Sequence, residues 1–455
     1  MVTPKPLTIA FVAGELSGDR QGAALLEALK LAAAPRPVQA WGIGGARLRA
    51  AGMALRHDST PWASIGIAAT VVNVPFLLHA LQDMKRALAR NPPDALVVID
   101  SGAFNVPLGR WAKAHKICPV FYYFPPGSWR RTARRSGKGL ADASDLVVTP
   151  FPWSEALLRQ TGTNAEFVGH PLLDLVKPSL PESEFYERYG LDPLRPLVAL
   201  LPGSRKLEIE HILPALIGAA GEITRRIPGV QFALALADGG PRALVEAAIR
   251  REQTRGGHAA RVQLLMHQAE DKLASLAHNA LTPPLLATNE GINVRARLDT
   301  EDAPAAQEKA PLAPLVICEG LTYDVLARSD LVVTKSGTST LEAAILQKPM
   351  IIVYRGSGIM ALEWKLRKPR AGVMHIGMPN ILAQERLFPE LIQDEATPDA
   401  IADLAVSLLL QPEHMLRLKE KLSMLMQTAL GEPGGVARAA ELLYALTQKS
   451  ASHPL

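Results

Sequence analysis

Cysteine is almost missing from this sequence. Among 455 residues there are two, Cys118 and Cys318. That excludes a disulfide framework and a cysteine-rich zinc centre, and it suits a reducing compartment in which buried thiols are inert. Aromatic residues make up only 5%, too few for a platform of rings on which nucleic-acid bases stack, so no nucleic-acid partner is expected. Charge of one sign is scarce as well. A net charge of +5 over 455 residues tolerates phosphate-bearing substrates or an anionic membrane face without requiring either. No Walker A loop, H-E-x-x-H or G-x-S-x-G motif occurs, which removes the commonest nucleotide-phosphate, zinc-peptidase and serine-hydrolase readings. D-x-D, the spacing with which many sugar-nucleotide enzymes hold a divalent metal, is absent too. The eleven histidines show no ligand spacing, so neither a metal nor a cofactor is expected.

Long hydrophobic runs are few. The N-terminus places Lys5 before an apolar stretch in the manner of a signal peptide, but Glu15 and Asp19 arrive too soon and no A-x-A site follows. A buried strand is the better reading. The second run, Ser59–Gln82, carries no charged residue, yet Gly66, Asn73, Pro75 and His79 interrupt it. A transmembrane helix is disfavoured. A buried helix pair is expected, with a surface patch that touches lipid as the alternative.

What the chain does have is ordinary globular composition, 48% hydrophobic and 20% charged, and length for two or three domains. Short apolar runs rich in β-branched residues alternate with helical patterns. LTIAFVA, VQAWGIG, ALVVID, VFYYF and LVVTPF come first. After a turn-rich break at Lys177–Pro181 the alternation restarts with LVALLPG, VQFALALA, PLVICEG, LVVTKSG and PMIIVY. Such alternation implies parallel sheets with right-handed crossovers. The fold class expected is therefore α/β: two doubly wound, Rossmann-like domains facing a cleft, at 1–178 and 186–397, with a helical C-terminal tail at 398–455 that packs back on them. Residues Thr282–Pro314 show no period and read as a long irregular insertion.

Four segments could carry chemistry. Ala13–Asp19 follows a strand and opens a helix, so Gly14 and Gly18 allow close backbone approach, with Ser17 and Asp19 beside them. The segment is not G-x-G-x-x-G, and Glu15 is better suited to accepting hydrogen bonds from sugar hydroxyls than to cradling phosphate. Asp100 sits just past the strand ALVVI, where open α/β sheets bind ligands. Apolar surroundings there would raise its pKa toward that of a general base, although a helix cap is an equal reading. Pro202-Gly203-Ser204-Arg205 ends the first strand of the second half, and Arg205 offers a rigid fork for phosphate oxygens. Glu208 and Glu210 follow as first-turn helix charges. Lys335–Glu342 follows LVVT and starts a helix. Ser336, Gly337, Thr338 and Thr340 suit a diphosphate at that helix start, and Glu342 could reach ribose hydroxyls. His170, in Val168-Gly169-His170-Pro171, is the one histidine worth following. The run Arg130, Arg131, Arg134, Arg135 and Lys138 reads either as a solvated face or as a contact for anionic lipid or phosphate.

Taken together, these motifs resemble the lipid-A-disaccharide synthase family, GT-B glycosyltransferases of the Gram-negative outer-membrane pathway. The likeness is carried by Ala13–Asp19, Gly42-Ile43-Gly44-Gly45 with Ala51-Gly52, Phe167–Pro171 and Leu200–Arg205. Ser336–Glu342, Met378-Pro379-Asn380 and Pro389–Gln393 add to it. It covers nearly the whole chain apart from 282–314. The resemblance implies transfer of a diacylated glucosamine from UDP onto a diacylglucosamine 1-phosphate, with inversion, at the inner-membrane surface from the cytoplasmic side; a homodimer is left open. It implies a first half that holds the acyl-bearing acceptor and a second half that holds UDP. The family's first D-A-P-D-F-N aspartate, the expected general base, falls on Asp100. The P-G-S-R arginine falls on Arg205, the A-G-E glutamate on Glu15 and the L-P-N asparagine on Asn380. Asp100, Glu15 and Arg205 are thus the expected catalytic residues. Gly14, Ser17, Gly18, Asp19, Gly203, Ser204, Ser336, Gly337, Thr338, Thr340, Glu342 and Asn380 are the expected substrate contacts.

Three departures fall in the acceptor half. D-A-P-D-F-N has become Asp100-Ser101-Gly102-Ala103-Phe104-Asn105, which removes the second carboxylate. S-P-S-V-W-A-W-R has shortened to Pro125-Pro126-Gly127-Ser128-Trp129-Arg130, and M-G-x-x-E-V is replaced by Ile65–Thr70. The rivals are the same fold with another glycolipid acceptor, a UDP-sugar epimerase, and a non-catalytic membrane-associated paralogue.

Overall fold

The computed structural model describes residues 5–60, 67–127, 136–256, 259, 261–265, 312–356 and 375–452. The chain divides into two compact units. One comprises Met1–Leu175 together with Met426–Leu455, the other Val176–Leu425. The segment expected as a separate C-terminal tail is thus shared between them.

The first unit is built on strands β1 (Leu7–Ala13), β2 (Val38–Gly44), β3 (Ala54–Asp58), β4 (Ala95–Ile99), β5 (Val120–Tyr123), β6 (Leu146–Thr149) and β7 (Ala165–Phe167). They form one parallel sheet in the order β3-β2-β1-β4-β5-β6-β7. The strands read as unbroken apolar runs because both faces of the sheet are covered. Side chains alternate across a strand, so β1 feeds two layers. Leu7, Ile9 and Phe11 pack with Leu25, Leu26 and Leu29 of the helix Leu16–Ala32, and with Ala439, Ala440 and Leu443 of the helix Gly435–Ser452. Ala10 and Val12 pack on the opposite face with Ala80, Met84 and Leu88.

Those last three residues belong to one continuous helix, Ile67–Arg90, which carries Pro75 inside it. From Ile67 on, the charge-free stretch is therefore one helix, not the helix pair expected. Packing of its second half on the sheet outweighs a proline cost of about 3 kcal/mol. No helix among the described residues is long and apolar enough to cross a membrane. Phe76 and Leu78 on this helix are exposed, at 45% and 52%. The arginines at 130, 131, 134 and 135 and the departure at Ile65–Gly66 lie outside the described residues. So does residue 282 through 311 of the expected insertion; its last two residues open a strand.

The second unit has β8 (Leu197–Leu201), β9 (Gln231–Leu236), β10 (Val262–Leu264), β11 (Ala313–Glu319), β12 (Leu331–Lys335), β13 (Met350–Tyr354) and β14 (Glu390–Ile392). They too form a parallel sheet, ordered β10-β11-β9-β8-β12-β13-β14. The helix Pro398–Leu409 packs against the helix Lys206–Arg226 within this unit. In each sheet the strand order reverses beside the first strand, between β1 and β4 and between β8 and β12. Ligand crevices of open α/β sheets form outside the carboxyl ends at such points.

Candidate active site

At the first reversal, Ala13 of β1 lies opposite Ile99 of β4. The loops that follow, Gly14-Glu15 and Asp100-Ser101, are neighbours for that reason. Asp100 and Ser101 both take left-handed backbone conformations, with φ of 50° and 42°. Two successive non-glycine residues there are costly and persist only where the surroundings fix them. The fixing groups are visible. The Asn105 side-chain amide, fully buried, donates to the carbonyls of Ile99 and Asp100 at 2.9 Å each, and the Tyr122 hydroxyl donates to the Asp100 carbonyl at 2.7 Å. Burial, with the neighbouring Glu15 carboxylate second, pushes the Asp100 carboxyl up to about 6. Glu15 itself is exposed. A carboxyl poised just below neutral pH is a base that can accept a proton and return it.

The rest of the Ala13–Asp19 loop divides by role. Gly18 is buried against Ile99, where an added Cβ would lie 3.5 Å from the isoleucine. Ser17 is partly exposed and Gly14 buried. Asp19, expected as a substrate contact, caps the turn after β2. It is 2% exposed, and its carboxylate accepts from the backbone N–H of Gly45, Arg47 and Leu48 at 2.7, 2.9 and 3.1 Å. It therefore holds the glycine-rich turn after β2 against the start of the first helix, as an anion suits a helix N-terminus.

At the second reversal, Thr334 of β12 lies opposite Leu201 of β8. Gly203 has φ of +114°, and a Cβ on it would collide with the Glu208 carboxylate. Glu208 accepts from the N–H groups of Ser204 and Arg205 at 3.1 and 3.3 Å, and its other oxygen pairs with Lys335 Nζ at 2.9 Å. Ser204 and Arg205 are exposed at the start of the helix Lys206–Arg226, and Thr338 at the start of the helix Thr338–Ile345. Gly337 lies partly exposed between Ser336 and Thr338. The Ser336 hydroxyl donates to the Ile376 carbonyl at 2.7 Å.

Three further expected contacts are buried and engaged inside the fold. Thr340 donates to the Gly337 carbonyl at 2.8 Å and accepts from Met378 N–H at 3.0 Å. Glu342, 6% exposed, accepts from the Tyr323 hydroxyl at 3.1 Å. Asn380 is fully buried. Its amide donates to the Phe388 carbonyl and to Glu390, and its oxygen accepts from Phe388 N–H, all at 2.8–2.9 Å. Glu390 also accepts from Ile376 and Gly377 N–H at 2.8–3.1 Å. Asn380 and Thr340 thus shape the 375–378 loop beside Ser336.

His170 is not part of either site. It is buried and kept neutral, its pKa pulled down to about 3 by burial, and its Nδ1 accepts from Leu172 N–H. The Phe167–Pro171 motif instead anchors the returning C-terminal segment. The His170 N–H donates to the Leu430 carbonyl and the Arg438 guanidinium to the Val168 carbonyl, at 2.8 and 2.9 Å. Both cysteines are buried, with thiols pushed up to about 12. No group of three or more His, Cys, Asp or Glu among the described residues could hold a metal ion. The roles of Asn105, Tyr122 and Lys335 were not expected from the sequence, whereas Glu208 is the first-turn helix charge it was read as. Asn105 and Lys335 lie inside segments already singled out, while nothing local marks Tyr122.

Comparison with known proteins agrees with this layout. A family model described as lipid-A-disaccharide synthetase matches residues 9–281 and 287–443; its second range begins inside the stretch read as an insertion. The lipid-A-disaccharide synthase of Syntrophus aciditrophicus is 32% identical over 97% of this chain and 98% of its own length. That of Geobacter sulfurreducens is 32% identical over 97% of each. Among solved structures, a UDP-N-acetylglucosamine 2-epimerase from Neisseria meningitidis, bound to UDP-GlcNAc, superposes with a TM-score of 0.54 at 12% identity over 98% of this chain and all of its own. The calicheamicin glycosyltransferase CalG4 gives 0.53 at 14% identity over 98% of this chain and 99% of its own. These last two show the GT-B fold. The family match and the relatives show more: the chain belongs to the lipid-A-disaccharide synthase family, as a glycosyltransferase of lipid A biosynthesis.

Proposed function

We propose that this enzyme moves an acylated glucosamine from UDP onto an acylated glucosamine 1-phosphate, with inversion, at the cytoplasmic surface of the inner membrane. Asp100 removes the proton from the attacking hydroxyl of the acceptor sugar. The new glycosidic bond forms as the bond from the donor sugar's anomeric carbon to phosphate breaks, and the electron pair leaves with UDP. Glu15 accepts from sugar hydroxyls and keeps the Asp100 carboxyl basic enough to act. Arg205, with the hydroxyls of Ser204 and Thr338 at the two helix starts, meets the charge that develops on the diphosphate, commonly the largest contribution to such catalysis. The observation that carries the reading is the Asp100 carboxyl, raised to about 6 beside Glu15 at the carboxyl end of β4.

The loss of the second carboxylate at Ala103 favours one alternative, the same transfer to a different glycolipid. Purified protein given UDP-diacylglucosamine and diacylglucosamine 1-phosphate should release UDP and a disaccharide phosphate, read by mass spectrometry. UDP release with another acylated sugar and none with this acceptor would move the assignment to that alternative. Asp100→Asn should lower turnover by about 10²–10⁴-fold with little change in substrate affinity; turnover near that of the parent would remove Asp100 from the role of base.

A further inference from the structure

Because β8 and β12 are adjacent and parallel, the turns after them both open helices at the carboxyl edge of the sheet. A helix N-terminus carries roughly half a positive charge and favours anions by about 0.3–1 kcal/mol. Lys335, the last residue of β12, sits at this place. Its ammonium is 2.9 Å from Glu208, in the first turn of one helix, and 2.9 Å from where a Cβ on Gly337, just before the other, would stand. A lysine between two helix N-termini is badly placed unless an anion joins it. Glu208 is an anion in that position. One of its oxygens faces the ammonium and the other faces the N–H groups of Ser204 and Arg205. A single carboxylate thus stands where ammonium and backbone donors converge, with the Arg205 side chain exposed alongside.

We propose that Lys335 binds the diphosphate of the donor and of the departing UDP, and that Glu208 holds it in place until the donor arrives. The inference rests on the reading of this half as the UDP-sugar site. On binding, the ammonium passes from the carboxylate to phosphate oxygen. When the bond from the anomeric carbon to oxygen breaks, the electron pair stays on that oxygen, and Lys335 meets the added charge without giving up a proton. Lysine suits this exchange because its ammonium is a compact charge on a flexible stem, whereas Arg205 contributes a planar fork.

The test is calorimetric titration of the full chain with UDP and, separately, with uridine, which has no phosphate. Lys335→Met should weaken UDP binding by about 10–100-fold, the worth of a charge-assisted hydrogen bond, and leave uridine binding unchanged. Lys335→Arg should keep most of the UDP affinity, which separates loss of charge from failure to fold. Glu208→Gln still accepts from Ser204 and Arg205 N–H but frees the ammonium, so UDP affinity should hold or rise. Unchanged UDP binding in Lys335→Met, or equal loss of UDP and uridine, would overturn the proposal, as would a tenfold loss of UDP affinity in Glu208→Gln. Failure of the unmodified protein to bind UDP at all would instead overturn the donor reading on which it rests.

Discussion

At the scale of single residues, the energetics of Asp100 set its pH behaviour. Burial and Glu15 raise its carboxyl to about 6, so ionising it in the folded chain costs on the order of 3 kcal/mol. The kcat/KM for the acceptor should fall on the acid side, with a limb near pH 6, since that ratio reports the free enzyme. Glu15→Gln removes the like charge and should move that limb to lower pH; a limb that stays put would detach it from Asp100. A stability effect of opposite sense follows. A raised carboxyl favours the folded state while protonated, and that advantage fades as pH climbs through 6. Asp100→Asn should therefore melt higher than the parent at pH 7.5, by a few degrees, with the gap closing toward pH 4. Equal melting at pH 7.5 would mean the ionised carboxylate is well solvated after all. Burial at a strand end is what the apolar run before Asp100 implied. The help from Glu15 was hidden, because the two are distant in sequence and meet only through the pairing of β1 with β4.

At the scale of elements, the alternation of apolar runs and helical patterns made both sheets legible, since strands buried on both faces are continuous in sequence. Two features were not. Pro75 and Asn73 argued for a break, yet contacts of Ala80, Met84 and Leu88 keep Ile67–Arg90 as one helix. Asp19, Thr340 and Asn380 were legible as motif members but not as supports, because a motif records which residue is needed and not whether it touches ligand or backbone. Asn105 makes the same point from the other side. Its two hydrogen bonds hold the left-handed turn at Asp100-Ser101. Asn105→Ala should cost about 1–3 kcal/mol of stability by removing both hydrogen bonds, with the Asp100 carbonyl left only that of Tyr122, and should lower turnover beyond what the stability loss explains. The circular dichroism of the helices should be unchanged. Full turnover in a destabilised Asn105→Ala would mean the turn keeps its shape without the amide.

At the scale of the whole molecule, the remaining question is how a chain with no membrane-crossing helix among its described residues would meet the acylated substrates proposed for it. Phe76 and Leu78 stand exposed on a helix whose Ala80, Met84 and Leu88 pack on the sheet of the first unit. Full burial of such side chains is worth about 1.5–3 kcal/mol each, and theirs is about half made already, so entering a lipid interface should gain roughly 1 kcal/mol apiece. That is too little to hold the protein alone and enough to matter beside attraction between basic residues and anionic headgroups, about 1 kcal/mol per residue and lost within a Debye length. The protein should therefore pellet with anionic vesicles, come off at high salt, and need no detergent. Phe76→Ser with Leu78→Ser should weaken vesicle binding by about tenfold or more while leaving UDP binding unchanged, since both residues belong to the other unit. Vesicle binding that survives the double change would assign the contact to charge alone. Binding that resists salt in the unmodified protein would show an anchor deeper than any surface patch.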